Sequence, residues 1–428
     1  MNKESAVHAA QDRHVGVIGS GTMGAGIAQV AAEAGFTVHT FDAQPEQVKS
    51  AHAAIRERLD RSAAKGRISH AERDAIVARL TVAGSLSELA SADLVIEAVP
   101  EDLALKRRLL GEIDGLCGPR TVLASNTSSL SIGKLAEGLR RANRFLGMHF
   151  FNPAPVMALV ELVFGPNTDA QTQVEGVAYA NVFKKTPIKV KDSPGFVVNR
   201  VARPFYLESL AMLERGLADI QTLDNAVRTA GGFPMGPFQL LDLIGLDVNL
   251  AVTRSVHDGF NHPPRFAPNP IQAKLVEQGR LGRKSRRGFY DYSADPATPA
   301  YETRVQADAW KPDAAVGAFI EALGLKVDRA SQLYARILLA VINEAARAAE
   351  TIALPRDVDL GMKHGTNWPA GPLELADQAG LDLVLAAMKS LHAGDATGRF
   401  EPAALLLAHV RDGHLGEKSA HGFLRHWL

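Results

Sequence analysis

The sequence predicts an α/β Rossmann-type doubly wound sheet, followed by two all-α helical domains that are related by duplication. Short apolar strands alternate with helical patterns up to about residue 192, and regularly spaced glycines follow the first strand. Beyond that point the chain becomes helical, and two of its stretches recur about 135 residues later. We therefore expect an α/β domain over 12–192, a helical domain over 193–293, a linker over 294–312 and a degenerate second helical copy over 313–428.

Composition excludes several classes of function. The chain has 428 residues with 46% hydrophobic and 22% charged residues, and its formal net charge is zero, so no global charge favours nucleic acid or a membrane surface. The single cysteine, Cys117, excludes an internal disulfide. Neither a secretory signal nor a membrane-length apolar run is found, and no Cys/His cluster has metal-ligand spacing. We expect a cytoplasmic protein that uses no metal.

The first strand and its glycines predict a phosphate-binding turn. An apolar strand over 15–18 is followed by Gly19, Gly21 and Gly24 and then by an alanine-rich helix. Gly19 permits the tight turn, Gly21 lets the backbone approach a pyrophosphate, and Gly24 lets the helix pack closely against the strand. The helix N-terminus offers free N–H groups to the phosphates. The residues between the second and third glycines, Thr22 and Met23, are included in this predicted cofactor site.

A second strand, over 36–41, ends at Asp42, which lies 18 residues after the last glycine. An acid at this position accepts hydrogen bonds from the adenosine ribose in a dinucleotide-binding unit. Asp42 would also repel a 2′-phosphate, and neither Ala43 nor Gln44 supplies a cation for one. The sequence therefore predicts NAD rather than NADP as the cofactor.

Polar side chains follow two further predicted strands, 92–99 and 121–125. The first strand leads into a helix with Pro100 and Glu101 at its start, and the second leads into Asn126, Thr127, Ser128 and Ser129. The carboxyl ends of parallel strands form the ligand crevice of a doubly wound sheet. Serine and asparagine at these places could equally be helix caps, and position alone leaves both interpretations open.

Two isolated polar residues, His149 and Glu161, lie in the apolar segment 147–164. They could simply satisfy each other in a core, since each costs free energy when it is buried alone. Two strands would bring them side by side if the chain folds back after Pro153 and Pro155. A carboxylate on one imidazole nitrogen fixes the tautomer and raises the basicity of the other nitrogen. Near the predicted nicotinamide site, such a pair would act as a general base.

At this point the chain resembles the 3-hydroxyacyl-CoA dehydrogenase family over about residues 14 to 292. The matching segments occur in the family's order and spacing: VGVIGSGTMGAGIAQVAAEAG, ASNTSSLSI, GMHFFNPAPVMALVELV, DSPGFVVNR and GGFPMGPFQLLDLIGLD. The resemblance implies NAD-linked, reversible oxidation of an (S)-3-hydroxyacyl-CoA to the 3-oxoacyl-CoA. It implies that His149 is the catalytic histidine and Glu161 its carboxylate partner. It also implies that Ser128 bonds the reacting oxygen and that Asn199 lines the substrate site from the second domain.

The same resemblance implies further contacts with the cofactor and the substrate. Positions that match nucleotide contacts are Asp42, Glu101, Lys106 and Asn126. Lys65 falls where the family places a lysine near coenzyme A, although this region matches less closely. The acyl group stays open between short hydroxybutyryl, medium-chain and hydroxyadipyl groups, and so does a role in fatty-acid or aromatic-acid degradation. A terminal carboxylate would require a cation, and Arg200 and Arg203 beyond Asn199 are the candidates.

The second half contains a repeat. Residues 236–247 return as residues 371–382 with seven of twelve positions identical. Aligning the copies puts Ala335 opposite Asn199, so the second copy lacks the substrate-site asparagine. We expect this copy to be structural, either in a monomer with an internal pseudo-dimer or in a homo-oligomer.

Three alternative readings of the function stay open. The first is a non-catalytic NAD sensor or structural protein on the same fold. The second is a dehydrogenase that associates with a hydratase or thiolase, and the third is a dehydrogenase of a hydroxy acid that is not linked to coenzyme A.

Overall fold

The computed structural model describes residues 13–306 and 311–425. The chain divides between Asp192 and Ser193 into two compact units. In the part of the chain that the structure describes, no helix has both the length and the apolarity of a membrane-spanning segment.

The first unit is built on an eight-stranded sheet with the order β3-β2-β1-β4-β5-β6-β7-β8. Its strands are β1 (His14–Ile18), β2 (Thr37–Phe41), β3 (Leu80–Val82), β4 (Leu94–Glu97), β5 (Val122–Ser125), β6 (Phe145–Phe150), β7 (Leu159–Phe164) and β8 (Thr186–Lys191). All neighbouring strands are parallel except β6 and β7. The strand order reverses at β1, so a crevice forms outside the carboxyl ends of β1 and β4.

The helices of the first unit alternate with its strands. They are α1 (Thr22–Glu33), α2 (Pro45–Ala64), α3 (His70–Ala78), α4 (Leu103–Leu116), α5 (Ile132–Ala136) and α6 (Ala170–Val182). β4, β5 and β6 are buried along their whole length, as expected for strands covered on both faces. This arrangement confirms the predicted doubly wound α/β sheet.

One predicted helix boundary was wrong. The helix after β4 begins at Leu103, and not at Pro100 and Glu101. Asp102 is its N-cap, because a side-chain oxygen of Asp102 accepts a hydrogen bond from the Leu105 N–H at 2.7 Å. Pro100 and Glu101 therefore belong to the loop between β4 and α4, where the Glu101 carboxylate can bond to other loops.

The second unit is almost entirely helical, which confirms the fold predicted for it. Its helices are α7 (Val198–Val201), α8 (Arg203–Glu214), α9 (Ile220–Gly231), α10 (Pro237–Ile244), α11 (Leu246–Gly259), α12 (Pro270–Glu277), α13 (Ala314–Ala322), α14 (Arg329–Thr351), α15 (Pro355–Gly365), α16 (Pro372–Ala379), α17 (Leu381–His392) and α18 (Ala404–Arg411). Two short strands, β9 (Tyr290–Asp291) and β10 (Thr298–Pro299), pair antiparallel. The long helix α14 packs against α8 and α9. The finer boundaries that we expect inside this unit stay predictions.

Equivalent contacts recur in the two copies. A buried aspartate in each copy accepts two backbone N–H hydrogen bonds of 2.8 to 2.9 Å from the segment that ends the copy: Asp242 from Phe289 and Tyr290, and Asp377 from Phe423 and Leu424. A second aspartate in each copy accepts from the start of the following helix: Asp224 from Phe238 and Gln239, and Asp359 from Leu373 and Glu374. The repeated sequence therefore folds in the same way twice.

Buried ion pairs join the two copies reciprocally. Arg200 Nε of the first copy lies 2.6 Å from Glu344 Oε1 of the second. At the equivalent positions of the repeat, Arg336 Nε of the second copy lies 2.5 Å from Glu208 Oε1 of the first. Each glutamate also bonds a second arginine, Arg265 on Glu344 and Arg399 on Glu208. Losing one partner of such a buried pair destabilises a protein by on the order of 3–5 kcal/mol.

Candidate active site

The glycine turn between β1 and α1 is tightly packed at two of its three glycines. Gly19 has φ +100°, and a Cβ there would lie 2.7 Å from the Ala98 carbonyl oxygen. A Cβ on Gly24 would lie 1.9 Å from the Gly19 carbonyl oxygen. A Cβ on Gly21, in contrast, would meet nothing within 4 Å. Gly19 and Gly24 are thus required by the turn itself, whereas the space at Gly21 is open to a ligand.

The start of α1 is suited to an anion. Gly21 is the N-cap of α1 and supplies no side-chain hydrogen bond, and the first turn of α1 contains no acidic residue. The N–H groups of the first turn lack acceptors within their own helix and carry a partial positive charge. The Ser20 hydroxyl in the same turn is buried, and no described residue bonds it. These groups fit the pyrophosphate of a dinucleotide.

A cavity of about 540 Å³ opens at this turn. The loops after β1, β2 and β4 line it, and five of the predicted cofactor residues are among its walls: Gly19, Gly21, Thr22, Met23 and Asp42. Asp42 is fixed at the end of β2, because its carboxylate oxygens accept hydrogen bonds from the Ser20 N–H at 2.8 Å and the Gln44 N–H at 3.0 Å. The cavity thus combines a phosphate-binding turn with an acid at the place expected for the ribose.

Three other residues that the resemblance linked to the nucleotide take part in a polar network. Lys106 is only 1% exposed, and its ammonium lies 2.7 Å from Glu97 Oε1 and 3.3 Å from Glu101 Oε2. Glu97 Oε2 accepts from the Ser125 hydroxyl at 2.6 Å. Asn126 Oδ1 accepts from the Phe150 N–H at 2.8 Å. This network links the carboxyl ends of β4, β5 and β6.

Glu101 holds the loop that carries Ser128. One of its oxygens accepts hydrogen bonds from the Thr127 hydroxyl at 2.6 Å, the Ser128 N–H at 3.0 Å and the Ser129 N–H and hydroxyl at 3.1 and 2.9 Å. Burial acts to raise the pKa of Glu101, but the Lys106 ammonium and these hydrogen bonds together hold that pKa below its ordinary value. Glu101 is therefore an ionised anchor for the loop.

His149 and Glu161 lie directly opposite each other on β6 and β7. The antiparallel register pairs the two residues, and His149 Nδ1 lies 2.7 Å from Glu161 Oε2. The Glu161 side chain is fully buried, and that of His149 is 8% exposed. An ionised carboxylate can only accept a hydrogen bond, so Nδ1 carries the proton and Nε2 keeps its lone pair. This arrangement leaves Nε2 able to take up a proton.

The other predicted residues lie elsewhere. Ser128 is partly exposed at the end of β5, on the edge of the sheet where β6 also ends. Asn199 lies in α7 of the second unit and is partly exposed. Lys65 is exposed and caps the C-terminus of α2.

Sequence reasoning missed several polar residues of this region. Glu97 lies inside an apolar strand, and this isolation was a signal that could have identified it, as it did for Glu161. Ser20 lies between two glycines of the turn, and nothing in the sequence indicates that its hydroxyl group could contact a ligand. Ser125 was also missed, and the sequence does not reveal that Ser125, on β5, and Lys106, on α4, both bond the Glu97 carboxylate.

One possible metal-ligand group was also missed, in the second unit. Within residues 13–306 and 311–425, His257, Asp258 and His262 bring three ligand atoms within 4.8 Å of one another. Left-handed backbone at Asn261 and His262 turns the chain back toward α11, which the sequence spacing does not reveal. The group lies at the C-terminal end of α11.

Two alanine substitutions separate the turn's packing from its ligand contact. Gly24→Ala places a Cβ against a backbone oxygen and is expected to cost about 1–3 kcal/mol of folding free energy. Gly21→Ala meets no atom and is expected to unfold like the wild type, but to weaken NAD binding by roughly tenfold or more, because its methyl group occupies the pyrophosphate space. Thermal unfolding and calorimetric titration with NAD measure the two effects. Wild-type NAD affinity in Gly21→Ala would contradict the assignment.

The family models match most of the chain. The 3-hydroxyacyl-CoA dehydrogenase NAD-binding domain matches residues 14–193. The C-terminal domain of the same family matches two separate stretches, 195–292 and 333–426, which fall in the two copies of the repeat.

Individual relatives agree with this match. The chain is 36% identical to the 3-hydroxyadipyl-CoA dehydrogenase of Escherichia coli, over 92% of this chain and 96% of that protein. A crystal structure of 3-hydroxybutyryl-CoA dehydrogenase from Escherichia coli superposes with a TM-score of 0.84 and 34% identity, covering 94% of this chain and 99% of that one. An (S)-3-hydroxybutyryl-CoA dehydrogenase from Ralstonia eutropha is 42% identical with a TM-score of 0.64, covering 66% of this chain and 99% of its own. The chain therefore belongs to the 3-hydroxyacyl-CoA dehydrogenase family, and its first unit is the NAD-binding domain of that family.

Proposed function

We propose that this chain oxidises (S)-3-hydroxyacyl-CoA to 3-oxoacyl-CoA with NAD, and that His149 is its general base. The observation that carries the proposal is the bond of 2.7 Å between His149 Nδ1 and Glu161 Oε2 on paired strands. The pair stands at the edge of the sheet where the loops after β1, β4 and β5 also lie. A nucleotide sensor would need the cavity at the glycine turn, but it would have no use for a buried base that is oriented in this way.

The proton chemistry follows from the tautomer. His149 Nε2 removes the proton from the 3-hydroxyl group as carbon 3 becomes a carbonyl, and it returns that proton in the reverse reaction. Bound NAD supplies the acceptor for the hydride that leaves carbon 3. Glu161 stabilises the imidazolium through the Nδ1–H bond, which is made in the low-dielectric interior of the sheet. The same bond holds the imidazole ring in place, so Nε2 keeps one orientation throughout the proton transfer.

We assign the remaining predicted residues to positioning and contact. Ser128 and Asn199 are proposed to hydrogen-bond the reacting oxygen. Glu101 supports the proposal for Ser128, because its carboxylate accepts hydrogen bonds from the N–H groups of Ser128 and Ser129 and so fixes the loop that carries this serine. Asn126 ties the same loop to β6, next to His149. The buried Lys106 ammonium pairs with the carboxylates of Glu97 and Glu101. We therefore propose that Lys106 acts on the nucleotide indirectly, by fixing the shape of the loop after β4. Lys65 remains a proposed coenzyme A contact.

The proposed substrates are short-chain acyl groups in fatty-acid or aromatic-acid degradation. The names of the relatives, 3-hydroxybutyryl-CoA and 3-hydroxyadipyl-CoA dehydrogenase, support a chain of four to six carbons. A loose association with a hydratase or a thiolase is compatible with this chemistry, because those enzymes supply the substrate and consume the product.

The test of the base is His149→Gln, which keeps a polar side chain but cannot take up the proton. Turnover of (S)-3-hydroxybutyryl-CoA, followed by NADH absorbance, is expected to fall by about 10²–10⁴-fold. NAD affinity is expected to stay at the wild-type level, since His149 is not part of the cavity at the glycine turn.

Three outcomes of that assay would contradict the proposal. Equal turnover in the variant would remove His149 from the mechanism. A wild type that binds NAD without oxidising any hydroxyacyl-CoA would favour the sensor. Equal rates on the free hydroxy acid would favour a dehydrogenase that does not need coenzyme A.

We also propose that the second helical copy replaces a partner subunit. The reciprocal pairs Arg200–Glu344 and Arg336–Glu208 support this, because they resemble the two-fold contacts of a symmetric dimer made within one chain. Sedimentation equilibrium of the full chain is expected to give a monomer of 45.8 kDa. A stable dimer would contradict this proposal and leave the proposed reaction untouched.

A further inference from the structure

Arg203 is a buried cation four residues beyond Asn199. It is the first residue of α8 and only 4% exposed. Its Nε donates to the Asn199 carbonyl oxygen at 2.8 Å, and its Nη1 donates to the Asn249 carbonyl oxygen at 3.3 Å and to Thr253 Oγ1 at 3.2 Å. The guanidinium carbon also lies 5.1 Å from the centre of the Tyr206 ring. All of these neighbours are electrically neutral.

Arg203 differs from the other buried arginines of the second unit in having no countercharge. Arg200 pairs with Glu344 at 2.6 Å, and Arg399 pairs with Glu208 at 2.9 Å. In contrast, no aspartate or glutamate among residues 13–306 and 311–425 forms an ion pair with Arg203. Burial lowers the pKa of Arg203 to about 10, so the side chain still carries its charge at neutral pH. A buried charge without a partner costs folding free energy that a bound anion would return.

Two hydrogen-bond donor groups at Arg203 lack an acceptor among the described residues. Arg203 Nη2 bonds no residue in the described parts of the chain. Asn249, which is 2% exposed, accepts from Arg203 through its backbone oxygen, while its side-chain Nδ2 is buried and bonds none of the described residues. An ionised carboxylate only accepts hydrogen bonds and has two oxygens to do so. It is therefore the kind of group that this site lacks.

The second copy provides an internal comparison. At the positions equivalent to Arg203, Asn249 and Thr253, the repeat has three apolar residues that are fully buried: Leu339, Val384 and Met388. The same copy has Ala335 in place of Asn199. It nevertheless keeps Arg336 and Glu344, which are equivalent to Arg200 and Glu208. The helical fold thus accepts an apolar cluster here, and the polar cluster occurs only in the copy that has the asparagine.

We propose that Arg203, with the Asn249 amide, is a binding subsite for a carboxylate at the far end of the acyl group. The inference rests on the proposed function, in which Asn199 contacts the oxygen on carbon 3. In a six-carbon dicarboxylic acyl group the terminal carboxylate lies three carbon–carbon bonds beyond carbon 3, a span of roughly 4 Å. Arg203 follows Asn199 by about one helical turn, which rises about 5.4 Å. The subsite therefore selects 3-hydroxyadipyl-CoA over acyl groups of equal length that end in a methyl group.

The test compares two substrates that differ only at this end. We would measure kcat/KM with saturating NAD for 3-hydroxyadipyl-CoA and 3-hydroxyhexanoyl-CoA. The wild type is expected to favour the dicarboxylic substrate. Arg203→Leu, which copies Leu339 of the repeat, is expected to lower the ratio of the two kcat/KM values on the order of 100-fold. Arg203→Lys keeps the charge and is expected to retain part of the preference. Asn249→Val is a second variant in case Arg203→Leu does not fold, and it is expected to lower the ratio by a smaller factor.

The outcomes separate this inference from the proposed function. A wild type without preference for the dicarboxylic substrate would overturn the subsite, and so would an Arg203→Leu variant that loses both activities by the same factor. In either case oxidation of 3-hydroxyhexanoyl-CoA or 3-hydroxybutyryl-CoA would still support the proposed reaction. Failure of the wild type to oxidise any of the three substrates would instead overturn the proposed function.

Discussion

The antiparallel pairing of β6 and β7 is the constraint on which the proposed chemistry depends. All other neighbouring strands of the sheet are parallel, and only this reversal puts residues twelve apart directly opposite each other. It places a carboxylate on one nitrogen of His149 in the interior of the sheet, where water cannot compete for the bond. If one of the two strands were shifted by one residue, His149 and Glu161 would point to opposite faces of the sheet and could no longer bond.

The remaining polar contacts of the first unit support that pair from the side of β5. Asn126 bonds the backbone next to His149, and Glu101 holds the loop that contains Ser128. The Lys106 ammonium in turn neutralises the Glu101 carboxylate. Three strands thus end in a single connected network. The cavity at the glycine turn lies on the same edge of the sheet, because all the strands from β1 to β6 run in one direction.

Local signals made much of this predictable. The roles of Gly19 and Gly24 follow from the spacing, since their Cβ atoms would collide with the backbone, and the isolation of His149 and Glu161 in an apolar segment indicated their partnership. The start of α4 was misplaced because Pro100 is a common first helical residue, whereas Asp102 supplies the actual cap. The partners of Lys106 could not be read from the sequence, since Glu97 at the end of β4 and Glu101 in the next loop come within reach of Lys106 only when α4 packs beside that strand end.

Comparing the two helical copies separates residues that maintain the fold from residues that serve the proposed substrate site. Both copies keep the arginine and the glutamate that join them, and both keep the buried aspartates that bind the backbone. Only one copy keeps Asn199 and Arg203. A buried cation without a countercharge costs folding free energy. Packing does not require it, because the second copy fills the equivalent place with the buried apolar side chains around Leu339.

The protonation state of His149 is the most direct test of the central claim. Nitrogen-15 NMR of histidine-labelled protein, with a His149→Gln sample for assignment, reports which ring nitrogen carries the proton. The proposed mechanism predicts that the neutral tautomer carries its proton on Nδ1, facing Glu161. It also predicts that Glu161→Gln disturbs this preference. A proton on Nε2 with none on Nδ1 would contradict the account, because the nitrogen assigned as the base could then accept nothing.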